Sequence, residues 1–397
     1  MERKINIGLF IDTYFPMVDG VIRVVDNYAA LLSEYPNISV TVFAPRERGA
    51  KDGDFLYKIV RCPSLRIFFF DYVLPLPALG RKFKKALEDA RLDIVHVHSP
   101  FPIGQTAAAY AKKHGIPLVS TFHSQYKKDF KMVVKTEWMS NLLVKYIMRA
   151  FNKSDLLLSM NPSTAATVRE YGYKGKIELL PNGTHMKAED ASPALVSKVN
   201  EKYRDTPSQK LLLSVGRLYN LKNLDFIIDC CAELSRRGFD YKMLFVGDGQ
   251  DEDKLKFQTR KLGLEEKVLF LGKLTGTAEL AAYYKAADLF VFPSTYDTDG
   301  LVKNEAAAFY TPTLFSEGAL TASSCTDGVN GYIAPLEIGA FSDKIEAIFR
   351  DAALYQSVCE NAHRSLYFHW TDVVKKLMEI YQTALGRPSA EKERAAN

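Results

Sequence analysis

Short apolar runs rich in β-branched residues alternate with helix-patterned segments along this chain, and that alternation restricts its fold more than any other feature. Ile5–Ile11, Val40–Phe43, Ile94–Val97, Leu118–Phe122 and Leu156–Ser159 read as strands buried on both faces. Segments 21–35, 78–90, 103–114, 137–153 and 162–171 read as the helices between them. Such βαβ alternation implies a parallel sheet covered by helices. A second series starts at Leu211–Val215 and runs through Met243–Gly247, Val268–Phe270, Leu289–Phe292 and a short strand near Leu314. The expected class is α/β, with two Rossmann-like parallel-sheet domains and ligand held at the C-terminal ends of the strands. The polar stretch 184–208, with Pro193 and Pro207, suits a linker carrying a short helix.

Length and composition narrow the class. With 397 residues and 47% hydrophobic content, the chain can bury two ordinary cores. No apolar run approaches the roughly 20 residues that cross a bilayer. The N-terminus enters a strand at once, so a cytoplasmic protein is expected. Cysteines 62, 230, 231, 325 and 359 contain no CxxC pair and read as reduced thiols, neither a metal set nor a disulfide framework. The net charge of +5 is unevenly spread: residues 1–186 carry 26 Lys and Arg against 17 Asp and Glu, and the remainder 26 against 30. A basic first half suggests an anionic partner there. Nothing points to nucleic acid.

The stretch 293–312 carries the most specific chemistry. Asp297 and Glu305 are separated by seven residues and flank a turn at Gly300 and the start of an Ala-rich helix. A strand, a tight turn and a helix N-terminus form a natural anion site, because the first helical N–H groups lack internal partners. Asp297 is placed to accept from sugar hydroxyls, and Glu305 from a second diol such as a ribose. A capped helix with solvated acids is the plainer reading of one carboxylate pair. The remaining motifs shift the balance. Gly216-Arg217 ends a strand and Lys222 opens the next helix, so two permanent cations sit where a diphosphate is clamped. Gly247 lies in Val-Gly-Asp-Gly after another strand, Gly20 in the loop after the first strand, and His123 just past the end of Leu118–Phe122. His96, inside a strand, reads as structural.

Taken together, these motifs resemble the retaining glycosyltransferases of family 4, from Pro16–Gly20 to the Asp-Gly-Val-Asn-Gly of 327–331. The sequence departs from that pattern at Asp297, usually Glu, and at Tyr310, usually Gly. The resemblance implies a GT-B fold whose two domains face an interdomain cleft. It places an acceptor-side domain at 1–187, a nucleotide-sugar domain at 188–370, and a helix at 371–385 that crosses back to the first domain. It implies that His123, Arg217, Lys222 and Asp297 act in catalysis. Donor binding would fall to Gly20, Gly216, Arg217, Lys222, Gly247, Asp297, Thr298, Asp299, Gly300, Leu301, Val302 and Glu305. It further implies retaining transfer with no metal and no cofactor other than the nucleotide-sugar donor. With no evident nucleophile, the acceptor is expected to attack on the face the diphosphate leaves.

The acceptor is less sharply marked. Residues 65–85 join a bulky apolar run to a basic cluster, and 126–153 interleave Lys127, Lys128, Lys131, Lys135, Lys145, Arg149 and Lys153 with Tyr126, Phe130, Met132, Trp138, Leu142 and Tyr146. Cationic and aromatic faces together suit an anionic bilayer surface, and a solvated basic face explains the same pattern. The loops at 19–21 and 297–300 look most like those of bacterial diacylglycerol glucosyltransferases. The expectation is thus transfer from UDP-glucose to a lipid hydroxyl, with peripheral attachment to the inner face of the cell membrane. A soluble or polysaccharide acceptor and a non-catalytic nucleotide-sugar sensor remain the alternatives. An epimerase of this fold lacks the carboxylate signature, and a dehydrogenase would open with Gly-x-Gly-x-x-Gly.

Overall fold

The first unit is organised on strands β1 (Ile5–Phe10), β2 (Ile38–Pro45), β3 (Lys58–Cys62), β4 (Ser64–Arg66), β5 (Val73–Pro75), β6 (Ile94–Val97), β7 (Leu118–Phe122), β8 (Leu156–Ser159) and β9 (Ile177–Leu179). Seven form one parallel sheet in the order β3-β2-β1-β6-β7-β8-β9, while β4 and β5 make a separate antiparallel pair. The computed structural model describes residues 4–66 and 73–386, so residues 67–72 of the apolar run lie outside the described residues. The second unit carries β10 (Lys210–Val215), β11 (Tyr241–Val246), β12 (Val268–Phe270), β13 (Leu289–Phe292), β14 (Thr313–Ser316) and β15 (Tyr332–Ala334), all parallel in the order β12-β11-β10-β13-β14-β15. Contacts assign residues up to Pro181 and from Trp370 onward to the first unit, and Asn182–His369 to the second.

Local chemistry explains where the helices begin. Asp19 caps the helix Gly20–Ser33, its carboxylate accepting from the Ile22 N–H at 2.8 Å. Asn161 does the same for Pro162–Glu170, accepting from Thr164 N–H at 2.9 Å, with proline at the first helical position. The helix Pro102–His114 stops at Gly115, whose φ of 63° is the left-handed geometry glycine adopts without cost. One helical expectation needs correction: the segment 78–90 is a 3₁₀ turn, Pro77–Leu79, followed by the helix Arg81–Asp89. The helix read over 137–153 is Glu137–Phe151, and a further helix, Tyr126–Val134, precedes it and ends where Lys135 takes a φ of 54°.

The last helix, Trp370–Leu385, belongs to the first unit. Trp370 packs edge-on against Tyr28 at 5.8 Å, and the Tyr381 hydroxyl meets Nδ1 of His96 at 2.6 Å. In the second unit, Leu212, Met243, Phe245, Leu289 and Leu314 face one helical layer, and Leu211, Leu213, Leu244, Phe290 and Phe315 the other. Successive strand residues point to opposite faces, and here both faces are covered.

Asp12, just beyond β1, is 4% exposed and ties the N-terminus of the helix Pro102–His114 to the strand end. Its carboxylate accepts from Phe101 N–H at 3.1 Å and Ile103 N–H at 2.8 Å. Burial nevertheless outweighs these bonds and raises its pKa from 3.8 to about 7. A carboxyl that ionises less readily folded than unfolded contributes its stability in full below pH 3.8 and loses it as pH rises to about 7. Stability should therefore decline across that window, by at most about 4 kcal/mol from this group. Denaturant titration at several pH values should show the wild type losing stability relative to Asp12→Asn as pH rises. A pH-independent difference between the two would contradict the assignment.

Candidate active site

Three loops at the C-terminal edge of the second sheet bring the candidate donor residues together. After β10, Gly216 has a φ of 143° and Arg217 is exposed. After β11, Gly247 has a φ of 134°, and a Cβ there would lie 1.9 Å from the carbonyl oxygen of Gly216. The close approach that Gly247 allows is therefore to the neighbouring loop's backbone. Leu218 N–H donates to Asp248 O at 2.8 Å and locks the two loops side by side. Lys222 ends a short 3₁₀ turn, Asn220–Lys222, after which Asn223, with a φ of 59°, donates to Pro293 O at 2.8 Å. That bond anchors the turn beside the end of β13. A small pocket opens here, lined by Val215, Gly216, Arg217, Lys222, Phe292 and Pro293.

The third loop follows β13. Lys222 Nζ stands 3.3 Å from both carboxylate oxygens of Asp297, and one of those oxygens accepts from Ser294 Oγ at 2.6 Å. Both partners are about one-fifth exposed, so the pair is reachable from solvent. Gly300 has a φ of 71°, and a Cβ on it would press to 2.5 Å from the Phe292 ring. Glycine is required there on both counts. The helix Leu301–Ala308 starts at once, with Thr298, Leu301 and Val302 half-buried at its mouth. Glu305, one turn on, accepts from the Tyr284 hydroxyl at 2.7 Å, and burial raises its pKa. Tyr284 is itself held by the core, and its carbonyl accepts from Thr311 Oγ1 at 2.6 Å.

Asp299 does not fit the role expected of it. At 4% exposure its carboxylate pairs with Lys303 Nζ and accepts from Asn182 Nδ2 at 2.8 Å. Lys303 Nζ also donates to the Asp299 carbonyl at 2.6 Å, and Asn304 Nδ2 to Asn182 O at 2.7 Å. The side chain is committed to an internal clamp and is not presented to a ligand. Sequence reasoning missed Lys303, Asn304 and Tyr284, because a Lys or Asn inside a helix reads as solvated; the one available signal was a polar pair followed by a carboxylate in an otherwise Ala-rich helix. Tyr310, which stands where a glycine is usual, has a φ of 64° and stacks on His363 at 4.0 Å. Its neighbours thus hold it in a conformation glycine would take freely.

In the first unit, Gly20 begins a helix, and a Cβ there would meet no described atom within 4 Å, so packing does not demand glycine. His123 lies just after β7 and is 4% exposed, with Nε2 3.0 Å from Nδ1 of His98. His96 is structural in its contacts, bonded to Tyr381 and, at 2.7 Å, to Thr121 Oγ1, with burial pushing its pKa down to about 3. On the two basic helices, Trp138 is 68% and Leu142 59% exposed, one turn apart on a common face. Lys127 and Lys131 both pair with Glu137, at 2.8 and 2.5 Å, which reduces the free charge of that face. Among the described residues no helix is long and apolar enough to cross a membrane. None of their His, Cys, Asp and Glu side chains gather as three or more around a metal position.

Two family models match the chain: Glycosyltransferase Family 4 over residues 18–187, and Glycosyl transferases group 1 over residues 197–365. The alpha-monoglucosyldiacylglycerol synthase of Streptococcus pneumoniae is 29% identical, with 78% of this chain aligned to 70% of that protein. The GDP-mannose-dependent alpha-mannosyltransferase of Corynebacterium glutamicum is 25% identical over 98% of this chain and 94% of its own. Among solved structures, Anabaena HepE in complex with UDP and glucose superposes with a TM-score of 0.71 at 19% identity, covering 95% of this chain and 99% of that one.

The buried clamp makes a prediction of its own. Lys303→Met strands the Asp299 carboxylate without a cation and should destabilise the protein by about 3–5 kcal/mol in denaturant unfolding. The double variant Asp299→Leu, Lys303→Met should recover part of that loss. A single variant as stable as wild type would show that the pair does not hold the turn.

Proposed function

This chain belongs to the family 4 glycosyltransferases of the GT-B fold, and on that premise we propose that it transfers glucose from UDP-glucose, with retention, to a hydroxyl of a membrane lipid such as diacylglycerol. The observation that carries the reading is the Lys222–Asp297 pair beside Arg217, set between the ends of β10 and β13 at the mouth of the helix Leu301–Ala308. A diphosphate arriving there competes for Lys222 and frees Asp297 to accept from a sugar hydroxyl. Arg217, Lys222 and the first N–H groups of the helix, at Leu301 and Val302, then face charge that grows as the diphosphate leaves. Glu305 has one oxygen bonded to Tyr284 and takes a ribose hydroxyl with the other. His123 attends the reacting sugar.

The bond from the anomeric carbon to the phosphate oxygen breaks as a bond from that carbon to the acceptor oxygen forms on the same face. The acceptor's proton passes to the departing diphosphate. Fixed cations do the neutralising in this scheme, so the chain's own residues suffice for it.

Support for a lipid acceptor comes from two sources. The Streptococcus and Acholeplasma relatives are named as alpha-monoglucosyldiacylglycerol synthases, and the exposed Trp138 and Leu142 lie among cations, which suits an anionic bilayer. A soluble saccharide acceptor is the second reading, favoured by the engagement of Lys127 and Lys131 with Glu137. Purified protein offered UDP-glucose, UDP-galactose and GDP-mannose with diacylglycerol or soluble sugars separates the two, the anomeric configuration being read by NMR. An α-glucosyl lipid from UDP-glucose is expected. Turnover only with soluble acceptors would refute the lipid reading, and no turnover with any donor would favour a sensor.

Arg217→Ala should lower kcat by about 10²- to 10³-fold, while the Kd for UDP rises far less, because the charge Arg217 meets is largest in the transition state. An unchanged kcat with a raised KM would contradict that role. Trp138→Glu with Leu142→Glu should abolish sedimentation with phosphatidylglycerol vesicles at low salt and leave hydrolysis of the donor in solution intact. Undiminished sedimentation would show that this face is not the one that meets the bilayer.

A further inference from the structure

His96 inside β6, His98 just after it and His123 just after β7 form a buried series in the first unit. The rings of His96 and His98 lie 4.0 Å apart, and those of His98 and His123 5.3 Å apart. His96 uses both nitrogens, on Tyr381 and Thr121. His98 does not. Its ring is fully buried, Nδ1 is 3.0 Å from His123 Nε2, and its own Nε2 has no hydrogen-bond partner among the described residues.

A hydrogen bond between two imidazoles holds one proton, and its position decides the tautomer of both rings. If His123 Nε2–H donated, the proton of a neutral His98 would sit on Nε2, burying an N–H with no acceptor. If His98 Nδ1–H donates, only an unused lone pair is left at Nε2. Orphaned buried donors are the rarer and costlier of the two. Burial, with His96 and His123 nearby, holds the His98 pKa well below its usual value, so a doubly protonated ring does not offer a third arrangement.

We propose that His98 is a positioning residue that donates from Nδ1 to His123 Nε2, fixing His123 with its proton on Nδ1 and leaving it no lone pair with which to act as a general base. This rests on reading His123 as a residue of the transfer reaction, and it deepens that reading. With the Nε2 lone pair of His123 taken by His98 and its own proton on Nδ1, the acceptor substrate's proton goes to the leaving diphosphate. His123 contributes polarity and shape to the transfer without taking a proton.

The test is a long-range ¹H–¹⁵N spectrum of full-length protein labelled at histidine, with turnover measured on variants. In the wild type, His123 Nε2 should show the shift of an unprotonated nitrogen and Nδ1 that of a protonated one. His98→Leu should release that tautomer and lower kcat by about 5- to 10-fold, on the scale of one lost hydrogen bond, with the Kd for UDP unchanged. His98→Asn places an amide donor where Nδ1 stood and should restore both the tautomer and most of the turnover. A wild-type His123 protonated at Nε2 overturns the proposal, as does equal turnover in the Leu and Asn variants. Should His123→Ala retain full turnover while the wild-type spectrum is as expected, the tautomer assignment stands and the role of His123 in transfer falls.

Discussion

Parallel pairing of β10 with β11 and β13 is the constraint from which the candidate site of the second unit follows. Parallel strands cannot be joined by tight turns, so each returns through a helix and all strands end at one edge. That geometry delivers the loops after β10, β11 and β13 to the same place. Close packing then fixes them, since Gly247 lets its backbone approach that of Gly216, and Gly300 turns against the Phe292 ring. Large side chains at either glycine would force the loops apart before any ligand arrived.

Charge is distributed in two layers around these loops. The Asp299–Lys303 pair, with Asn182, is buried and fully engaged, and it holds the turn from which the helix Leu301–Ala308 departs. The Lys222–Asp297 pair is partly exposed and longer, at 3.3 Å. A buried pair is costly to break, whereas a solvent-accessible pair exchanges partners readily. The rigid pair shapes the turn, and in the proposed reaction the loose pair is the one a charged donor displaces.

Much of this was legible in the sequence, for physical reasons. Central strands such as Leu289–Phe292 are uniformly apolar because both faces are buried, and they stood out. The edge strands Ile177–Leu179 and Tyr332–Ala334 are only three residues long and left no such mark. Asp297, Glu305, Arg217 and Lys222 could be singled out because they follow strand ends at fixed spacings. Asp299 was misread because spacing shows proximity to a site but not which way a side chain turns. The clamp partners Asn182 and Lys303 lie 121 positions apart, and only the folded chain shows that both meet Asp299. His98 was similarly opaque, since its significance lies in which nitrogen faces His123.

In the proposed reaction Asp297 contacts the transferred sugar while its partner Lys222 contacts the diphosphate. Calorimetric titration of Asp297→Asn with UDP-glucose and with UDP tests it directly. The account predicts that affinity for UDP-glucose falls at least tenfold, corresponding to about 1.4 kcal/mol, while affinity for UDP stays level or rises as Lys222 is released. Equal losses for the two ligands would contradict it.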